Sequence, residues 1–264
     1  MEKKPTRTDK AVIGIIPARY GSSRLQAKPL LDLCGKPMIQ HVYERASQAL
    51  SLHAVIVATD RQEIADIVSS FGGKSVMTPP ELRSGTDRVA YVATQYPESD
   101  IIVNIQGDEP LIPPPMINEA VEPLIADTQI QVSTLIREMN SSSELLNPNI
   151  VKVVIDQNGF ALYFSRSPLP HIRDDHNSKQ WHLYHTYYKH NGLYVYRREL
   201  LLQFTGWEES KLERAEKLEQ LRMLEHGIKI KTRVTTFDSM PVDTPEDAER
   251  VRAILRTQST RNIP

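Results

Sequence analysis

The stretch "AVIGIIPARYGSSRLQAKPL", residues 11–30, joins a short apolar run to a loop rich in arginine, glycine, serine and lysine. A nearly continuous apolar run of this length is typical of a strand that is buried on both faces of a parallel sheet. In the loop, small residues let backbone N–H groups approach an anion, and Arg19, Arg24 and Lys28 supply positive charge. The stretch therefore predicts an anion site at the carboxyl end of the first strand, where open α/β sheets bind ligands. The alternative is an ordinary strand–loop–helix turn with solvated arginines.

The segments that follow alternate between helical and strand patterns. An amphipathic helix is predicted over 37–50 with Leu50 on its apolar face, and a second buried strand over 53–59. Asp60 is expected to cap the next helix, and a third buried strand is predicted over 100–106. This alternation is typical of a doubly wound, mainly parallel sheet with helices packed on it.

The second half of the chain departs from that alternation. An Asn-Gly turn between two β-rich arms predicts a hairpin over 151–165. The polar, histidine-rich stretch 167–185 is expected to be a long mobile loop. Leucines three residues apart predict one helix over 209–227, and Thr244 is expected to cap the last helix. These features predict a smaller β-rich lobe added to the parallel sheet.

Length and composition limit the class of protein. The 264 residues suffice for one large domain, which we place at 11–264 after a disordered tail over 1–10, with the lobe roughly within 150–226. The 32 basic and 33 acidic residues leave a net charge of −1, which predicts neither a nucleic acid nor a membrane partner. The single cysteine, Cys34, excludes an internal disulfide framework and fits a reducing compartment. No signal peptide is evident, and no apolar run approaches the roughly 20 residues of a membrane span, so we expect a cytoplasmic protein.

Two aspartates follow predicted strands or precede a predicted helix. Asp108, in "NIQGDEP" (104–110), comes directly after the third strand, where a hard oxygen ligand could hold a magnesium ion between phosphates. Asp243, in "VDTPED" (242–247), precedes the capped last helix. Taken alone, each is better explained as a turn or capping residue. Together with the cationic loop, they indicate a site for a nucleotide–magnesium complex, although the spacings of a dinucleotide fingerprint and of a P-loop are missing from the loop.

Nine motifs occur in order over nearly the whole chain: "IPARYGSSRLQAKPL", "VATD", "SGTDR", "VNIQGDEP", "NPNIVKVV", "ALYFSR", "HNGLYVYR", "LEQLRML" and "VDTPED". As a set they closely resemble the 3-deoxy-manno-octulosonate (KDO) cytidylyltransferases, also called CMP-KDO synthetases. The resemblance implies a nucleotidyltransferase-type, Rossmann-like α/β fold with a mixed, mainly parallel sheet, and a homodimer formed through the later part of the chain. It also implies an enzyme that makes CMP-KDO and pyrophosphate from CTP and KDO and so activates the sugar for lipopolysaccharide synthesis.

The same resemblance implies roles for individual residues. Arg19, Lys28, Asp108 and Asp243 are expected to be catalytic, with Mg²⁺ held by the two aspartates. The "RSGTDR" segment, 83–88, is expected to be a loop beside the nucleotide. The nucleotide-binding set is Arg19, Ser22, Arg24, Lys28, Ser84, Gly85 and Gln106. The sugar-binding set is Arg166, His190, Tyr194, Glu219 and Gln220, in which Arg166 would meet the carboxylate of the sugar.

One departure from the family and two alternatives remain at this stage. Gln26-Ala27 stands where the family often has Pro-Gly; glycine would let the backbone approach the phosphates most closely, and Ala27 can do so if its φ is negative. The nearest alternative is a CMP-sialic acid synthetase, which activates a related sugar acid. An alternative from another class is a CTP-binding protein without turnover. The sequence leaves open whether KDO or a modified form, such as 8-amino-KDO, is the substrate.

Overall fold

The apolar run near the start of the chain forms a strand that is almost entirely buried, as its sequence predicts. The structure is a computed structural model that describes residues 11–20, 27–175 and 177–261. Its strands are β1 Ala11–Ala18, β2 Asp32–Leu33, β3 Lys36–Pro37, β4 Ala54–Thr59, β5 Ser75–Met77, β6 Ser99–Asn104, β7 Val132–Met139, β8 Lys152–Ile155, β9 Ala161–Ser165, β10 Tyr187–Arg197 and β11 Lys231–Val234. Its helices are α1 Met38–Ala46, α2 Gln62–Ser70, α3 Gly85–Ala93, α4 Pro114–Ala126, α5 Ser142–Leu146, α6 Trp181–Tyr184, α7 Arg198–Gly206, α8 Lys211–Glu216, α9 Gln220–Glu225 and α10 Pro245–Arg261.

The chain divides into two compact units. The first comprises Met1–Asn118 together with Ser239–Pro264, and the second is Glu119–Asp238. The region predicted as a β-rich lobe, roughly 150–226, lies inside the second unit. The predicted tail at 1–10 lies outside the described residues, and the prediction of a single domain with a lobe stays a prediction.

In the first unit the strands run in the order β6-β1-β4-β5, and all three pairings are parallel. Helices α1, α2 and α3 pack on these strands. A separate two-stranded ribbon, β2–β3, is antiparallel. The mixed α/β fold with a mainly parallel sheet is confirmed, because β1 leads through α1 to its parallel neighbour β4, and β4 leads through α2 to β5.

The second unit contains the antiparallel pairings. Strand β7 pairs with β11 in parallel and with β10 in antiparallel orientation, and β10 pairs with the hairpin β8–β9. At the turn of this hairpin, Asp156 Oδ1 accepts hydrogen bonds from the amides of Asn158 and Phe160. Gly159 takes the positive φ of 72° that closes the turn. The predicted hairpin is confirmed.

The helix predicted over 209–227 is wrong as one element. It is divided into α8 and α9 at Lys217, which has a left-handed φ of 54°. An α-helix has 3.6 residues per turn, so leucines spaced exactly three apart do not stay on one face of a continuous helix. Such a helix could not bury all of them. The break allows Leu218 and Leu221 to be buried while Leu212 stays 37% exposed.

Three local predictions in the first unit and the lobe are also wrong. Helix α1 ends at Ala46, so Leu50 lies beyond it and is 75% exposed. Asp60 does not cap α2, because the cap residue is Arg61, which is extended and makes no side-chain capping bond. The stretch 167–185 is not a continuous loop, since it contains a 3-10 turn and α6, whose Trp181 is buried. Among the described helices, none is long and apolar enough to cross a membrane.

Candidate active site

The neighbouring parallel strands β1 and β6 end at the same edge of the sheet. Pro17 and Ala18 are the last residues of β1 and Arg19 follows them, while Gln106 to Asp108 lie just beyond β6. Gly107 makes this close approach feasible, because a Cβ atom at that position would lie only 2.7 Å from the carbonyl oxygen of Pro17. The backbone of the "GDEP" motif is therefore held directly against the end of the first strand.

Lys28 joins the two predicted aspartates at this edge. Its Nζ lies 2.7 Å from Asp108 Oδ2 and 3.1 Å from Asp243 Oδ1. The lysine side chain is 13% exposed, whereas those of Asp108 and Asp243 are 32% and 45% exposed. The backbone adds a second link, since the amide of Val242 donates to the carbonyl oxygen of Asp108 at 2.9 Å. The structure thus brings three of the four predicted catalytic side chains together.

Local sequence holds each of these groups in place. Lys28 begins a 3-10 turn, Lys28–Leu30, in which Pro29 is favoured near the start. Asp243 lies directly before α10, where Thr244 Oγ1 accepts a hydrogen bond from the amide of Asp247 as predicted. Asp247 in return accepts from the amides of Asp243 and Thr244. This capping holds the backbone of Asp243 and leaves its carboxylate available to Lys28.

A cavity of about 480 Å³ opens at this edge of the first unit. It is lined by Pro17, Ala18, Arg19, Lys28, Pro29, Met38, Arg83, Ser84, Gly85, Arg88, Gln106, Gly107, Asp108 and Asp243. Four cations line it against two carboxylates, so the wall carries excess positive charge. Arg88 is only 2% exposed and pairs with Asp60 at 3.3 Å. Burial lowers the pKa of Arg88, Asp60 opposes that shift, and Arg19 adds to it, which indicates a second arginine close by.

The "RSGTDR" segment is not a loop throughout. Gly85 to Arg88 form the first turn of α3, and Ser84 is its cap. Ser84 Oγ accepts from the amide of Asp87 at 3.0 Å, and Asp87 Oδ2 accepts from the amide of Ser84 at 3.2 Å. The amino end of a nine-residue helix therefore borders the cavity, and its dipole favours a bound anion.

The loop before Lys28 differs from the prediction. Ala27 has a φ of 54°, so the condition of a negative φ is not met. Its amide donates to the carbonyl oxygen of Tyr20 at 3.3 Å, which closes the loop and requires the left-handed turn. An alanine in this conformation costs roughly 1–2 kcal/mol relative to the right-handed region. Ser22 and Arg24 lie outside the described residues.

The donor set at this edge suits a hard cation. Asp108 and Asp243 share one ammonium group, so their carboxylates lie near each other. Mg²⁺ is commonly bound by one or two protein carboxylates together with phosphate oxygens and water. Among the described residues, no group of three or more histidine, cysteine or acidic side chains that could hold a metal ion is found. The residues present therefore fit a magnesium ion that arrives with a polyphosphate, rather than one bound by protein ligands alone.

In the second unit, four of the five predicted sugar-binding residues lie around an aromatic row. The ring centroids of His190 and Tyr194 are 5.2 Å apart, and Phe164 packs edge-on against His190 at 5.2 Å. His190 Nε2 lies 3.0 Å from Thr134 Oγ1. The imidazole is partly buried between these rings, and this desolvation lowers its pKa to about 3. The ring is therefore neutral at physiological pH.

Tyr194 and Glu219 continue this group, and Gln220 follows Glu219 as the first residue of α9. Burial raises the pKa of Tyr194 well above its usual value, and the nearby charge of Glu219 adds to the effect. Gln220 is 4% exposed, and its Nε2 has no hydrogen-bond partner in the part of the chain that the structure describes. The same holds for the hydroxyl of Tyr196. Because an unsatisfied buried polar group costs about 1–3 kcal/mol, these atoms are suited to a polar ligand.

Arg166, the fifth residue of the sugar-binding set, lies just beyond β9. Its Nε donates to the carbonyl oxygen of Glu216 at 2.8 Å, and its Nη1 donates to that of Pro148 at 3.1 Å. Its amide and the Ser165 hydroxyl donate to the carboxylate of Glu216. The sequence predictions missed Glu216, because a charged residue on a helix is ordinarily solvated. They also missed the buried Arg88–Asp60 pair, although "RSGTDR" pointed to its neighbourhood.

Comparison with known proteins identifies the family. The sequence profile of the cytidylyltransferase family matches residues 13–230. The 3-deoxy-manno-octulosonate cytidylyltransferase of Geotalea uraniireducens is 52% identical, with 93% of this chain and 99% of the relative covered, and that of Geobacter metallireducens is 51% identical, with 91% and 96% covered. A solved CMP:2-keto-3-deoxy-manno-octonic acid synthetase complexed with CTP is 44% identical, with a TM-score of 0.87 and 94% of this chain and all of that chain covered. The chain therefore belongs to the cytidylyltransferase family and, within it, to the 3-deoxy-manno-octulosonate cytidylyltransferases.

Proposed function

We propose that the protein transfers the cytidylyl group of CTP to KDO, forming CMP-KDO and pyrophosphate. The product is the activated sugar for lipopolysaccharide synthesis. The observation that carries the proposal is Lys28 between Asp108 and Asp243 on the wall of the cationic cavity. The relatives that match more than nine-tenths of the chain bear the same activity in their names.

The first unit supplies the groups that a triphosphate requires. In this reaction the anomeric hydroxyl of the sugar attacks the α-phosphorus of CTP and gives up its proton to water. The bond between the α-phosphorus and the oxygen that bridges it to the β-phosphorus breaks, and pyrophosphate leaves with that oxygen. Negative charge grows on the phosphate oxygens, so the protein acts chiefly by positioning and by electrostatic stabilisation. Arg19 and Lys28 line the cavity as cations, and the amino end of α3 offers backbone N–H groups. We assign the binding of CTP to these groups, with Ser84, Gly85 and Gln106 beside them.

Magnesium dependence is part of the proposal. The carboxylates of Asp108 and Asp243 would hold the ion, which, when bound, neutralises charge on phosphate oxygens. The salt bridges of Lys28 support this assignment, because they show two carboxylates that share a single cation. Lys28 keeps both carboxylates in place before the nucleotide binds and can then donate to a phosphate oxygen.

The second unit supplies groups for a polyhydroxy acid. The guanidinium group of Arg166 binds the carbonyls of Glu216 and Pro148 through Nε and Nη1. Nη2 takes part in neither bond, so it can donate to a carboxylate. Gln220 Nε2 can donate to a hydroxyl, and the neutral His190 can accept or donate one bond. Glu219 and Tyr194 complete the set with an acceptor and a hydroxyl. These side chains support recognition of a sugar acid with several hydroxyl groups.

The test is pyrophosphate release from CTP with and without magnesium, in the presence of KDO, sialic acid or no sugar. ATP, GTP and UTP serve as nucleotide controls. Release that needs CTP, KDO and magnesium together is the expected result. Release with sialic acid instead of KDO would identify sialic acid as the substrate and would leave the assignment of the nucleotide site unchanged. CTP binding without release in any mixture would identify a non-catalytic CTP-binding protein.

We also propose that the protein acts as a cytoplasmic homodimer. Its substrate CTP is a nucleotide of the cytoplasm, and the lone cysteine suits a reducing compartment. Three large apolar side chains are exposed on the adjacent helices α5 and α6: Leu146 is 39% exposed, Leu183 68% and Tyr184 66%. Exposed apolar side chains of this size are common at subunit interfaces.

A further inference from the structure

Lys152 is a fully buried lysine to which the proposed reaction gives no role. It lies at the start of β8 with 0% of its surface exposed. Its Nζ donates to the carbonyl oxygens of Asn147 at 3.0 Å and Ile150 at 2.7 Å. The removal of an ammonium group from water costs several kcal/mol even after the protein relaxes. A methionine would fill nearly the same volume at lower cost, so packing alone does not explain a lysine here.

The segment that Lys152 holds, residues 147–150, in turn holds Arg166. The carbonyl oxygen of Pro148, between the two carbonyl groups bound by Lys152, accepts the hydrogen bond from Arg166 Nη1 at 3.1 Å. The second anchor of the guanidinium is the carbonyl oxygen of Glu216. A planar group bound at two points has a single orientation, and loss of one point would let it rotate. Lys152 therefore acts on Arg166 through one short stretch of backbone.

The charges in this group also favour an acidic ligand. Burial lowers the pKa of Lys152 to about 8, the positive charge of Arg166 acts in the same direction, and Glu216 opposes it. Two cations thus share one carboxylate, and Glu216 is already engaged by Ser165 and by the backbone of Arg166. The excess positive charge would be neutralised by the carboxylate of a bound acid.

We propose that Lys152 is a positioning residue for the sugar acid: it fixes the carbonyl groups of residues 147–150 and thereby sets the orientation of Arg166 toward the carboxylate of KDO. The inference rests on the proposed function and deepens it. Lys152 itself touches neither substrate, because its ammonium is bound to backbone and has no exposed surface.

The test is the Lys152→Met variant, compared with the wild type in pyrophosphate release at varied KDO and varied CTP. The KM for KDO is expected to rise about tenfold, equivalent to the loss of ~1.4 kcal/mol of binding energy, while the KM for CTP stays within about twofold. Lys152→Gln keeps an N–H donor at shorter reach. Its KM for KDO is expected to lie between those of the wild type and Lys152→Met.

Arg197→Met is the matched control, because Arg197 also binds backbone carbonyl groups of the second unit, those of Leu124, Asp127 and Ile130. It is expected to lower the Tm without changing the KM for KDO.

An unchanged KM for KDO in a folded Lys152→Met protein overturns the inference and leaves the proposed function intact. Equal increases in both KM values also overturn it, since they would indicate general distortion. If Lys152→Met does not fold, the same comparison on Lys152→Gln decides. A wild-type protein without turnover overturns the proposed function, and this inference with it.

Discussion

Asp108 is the residue whose charge matters most to the proposed chemistry. It lies at the end of β6, accepts a hydrogen bond from Lys28, and is 32% exposed at its side chain. Asp108→Asn removes the charge at almost constant shape, so turnover is expected to fall by about a hundredfold or more while the fold is kept. Pyrophosphate release and thermal unfolding measure the two effects. Asp66→Asn, an exposed aspartate on α2, serves as the control and keeps full activity. Near-normal turnover in Asp108→Asn contradicts the assigned role.

His190 gives a prediction about pH at the same scale. Its pKa falls from an ordinary value of 6.5 to about 3 in the folded protein, because its ring is desolvated. Below pH 6.5 the unfolded chain therefore binds a proton that the folded chain does not, so stability that is present above this pH is lost as the pH falls toward 3.

The measurement compares the wild type with His190→Gln in urea unfolding at pH 7.5 and pH 5.5. All other titrating groups are common to both proteins, so the difference between their free energies of unfolding isolates His190. The wild type is expected to lose more stability than the variant at the lower pH. Parallel losses would show that the imidazole is as well solvated in the folded chain as in the unfolded one.

At the scale of the element, two helices begin with the same capping arrangement in different units. Ser84 caps α3 beside the cavity, and Ser210 caps α8 in the second unit; each takes part in a reciprocal pair with the acidic residue three positions on. Ser84→Ala and Ser210→Ala should each cost about 1 kcal/mol of stability. Only Ser84→Ala is expected to raise the KM for CTP, because the helix that it caps begins at the wall of the cavity to which we assign CTP. Equal KM values in the two variants would remove α3 from nucleotide binding.

Two non-glycine residues have a left-handed backbone conformation where the chain must turn. Ala27 and Lys217 both have a φ of 54°. The former closes the loop before Lys28, and the latter separates α8 from α9. Glycine is the usual residue at such positions, and its absence is why neither turn could be predicted from the sequence. The surrounding structure compensates for the backbone strain at these two residues.

At the scale of the whole molecule, we predict that the protein is a dimer whose interface includes the exposed apolar surface of α6. The wild type is expected to sediment at twice the chain mass of 30.0 kDa. Leu183→Glu places a charge on the exposed apolar surface of α6 and should shift the protein toward the monomer. Leu50→Glu is the matched control, because Leu50 is 75% exposed in the first unit and should leave the dimer unchanged. A monomeric wild type, or a Leu183→Glu protein that remains dimeric, contradicts the proposed surface.

Much of the fold could be predicted because its signals are local. The buried strands β1, β4 and β6, the Asn-Gly hairpin and the cap at Thr244 each depend on residues within a few positions of one another. The prediction of one helix over 209–227 failed because leucine spacing does not reveal which neighbours each leucine will contact. The predicted mobile loop at 167–185 failed for a similar reason, since Trp181 is buried against Met139, Leu145 and Tyr187, which are distant in sequence or on another element.

The sequence alone determined the fold class and, through its ordered motifs, the family. Those properties depend on residue types and on short-range order, which a sequence carries directly. Only the tertiary structure decided that Lys28 binds Asp108 and Asp243, which lie 80 and 215 positions away. It also decided that Lys152 is buried beneath the segment that holds Arg166. Such contacts arise when strand order and loop paths bring distant residues within a few ångströms, and no local pattern encodes that distance.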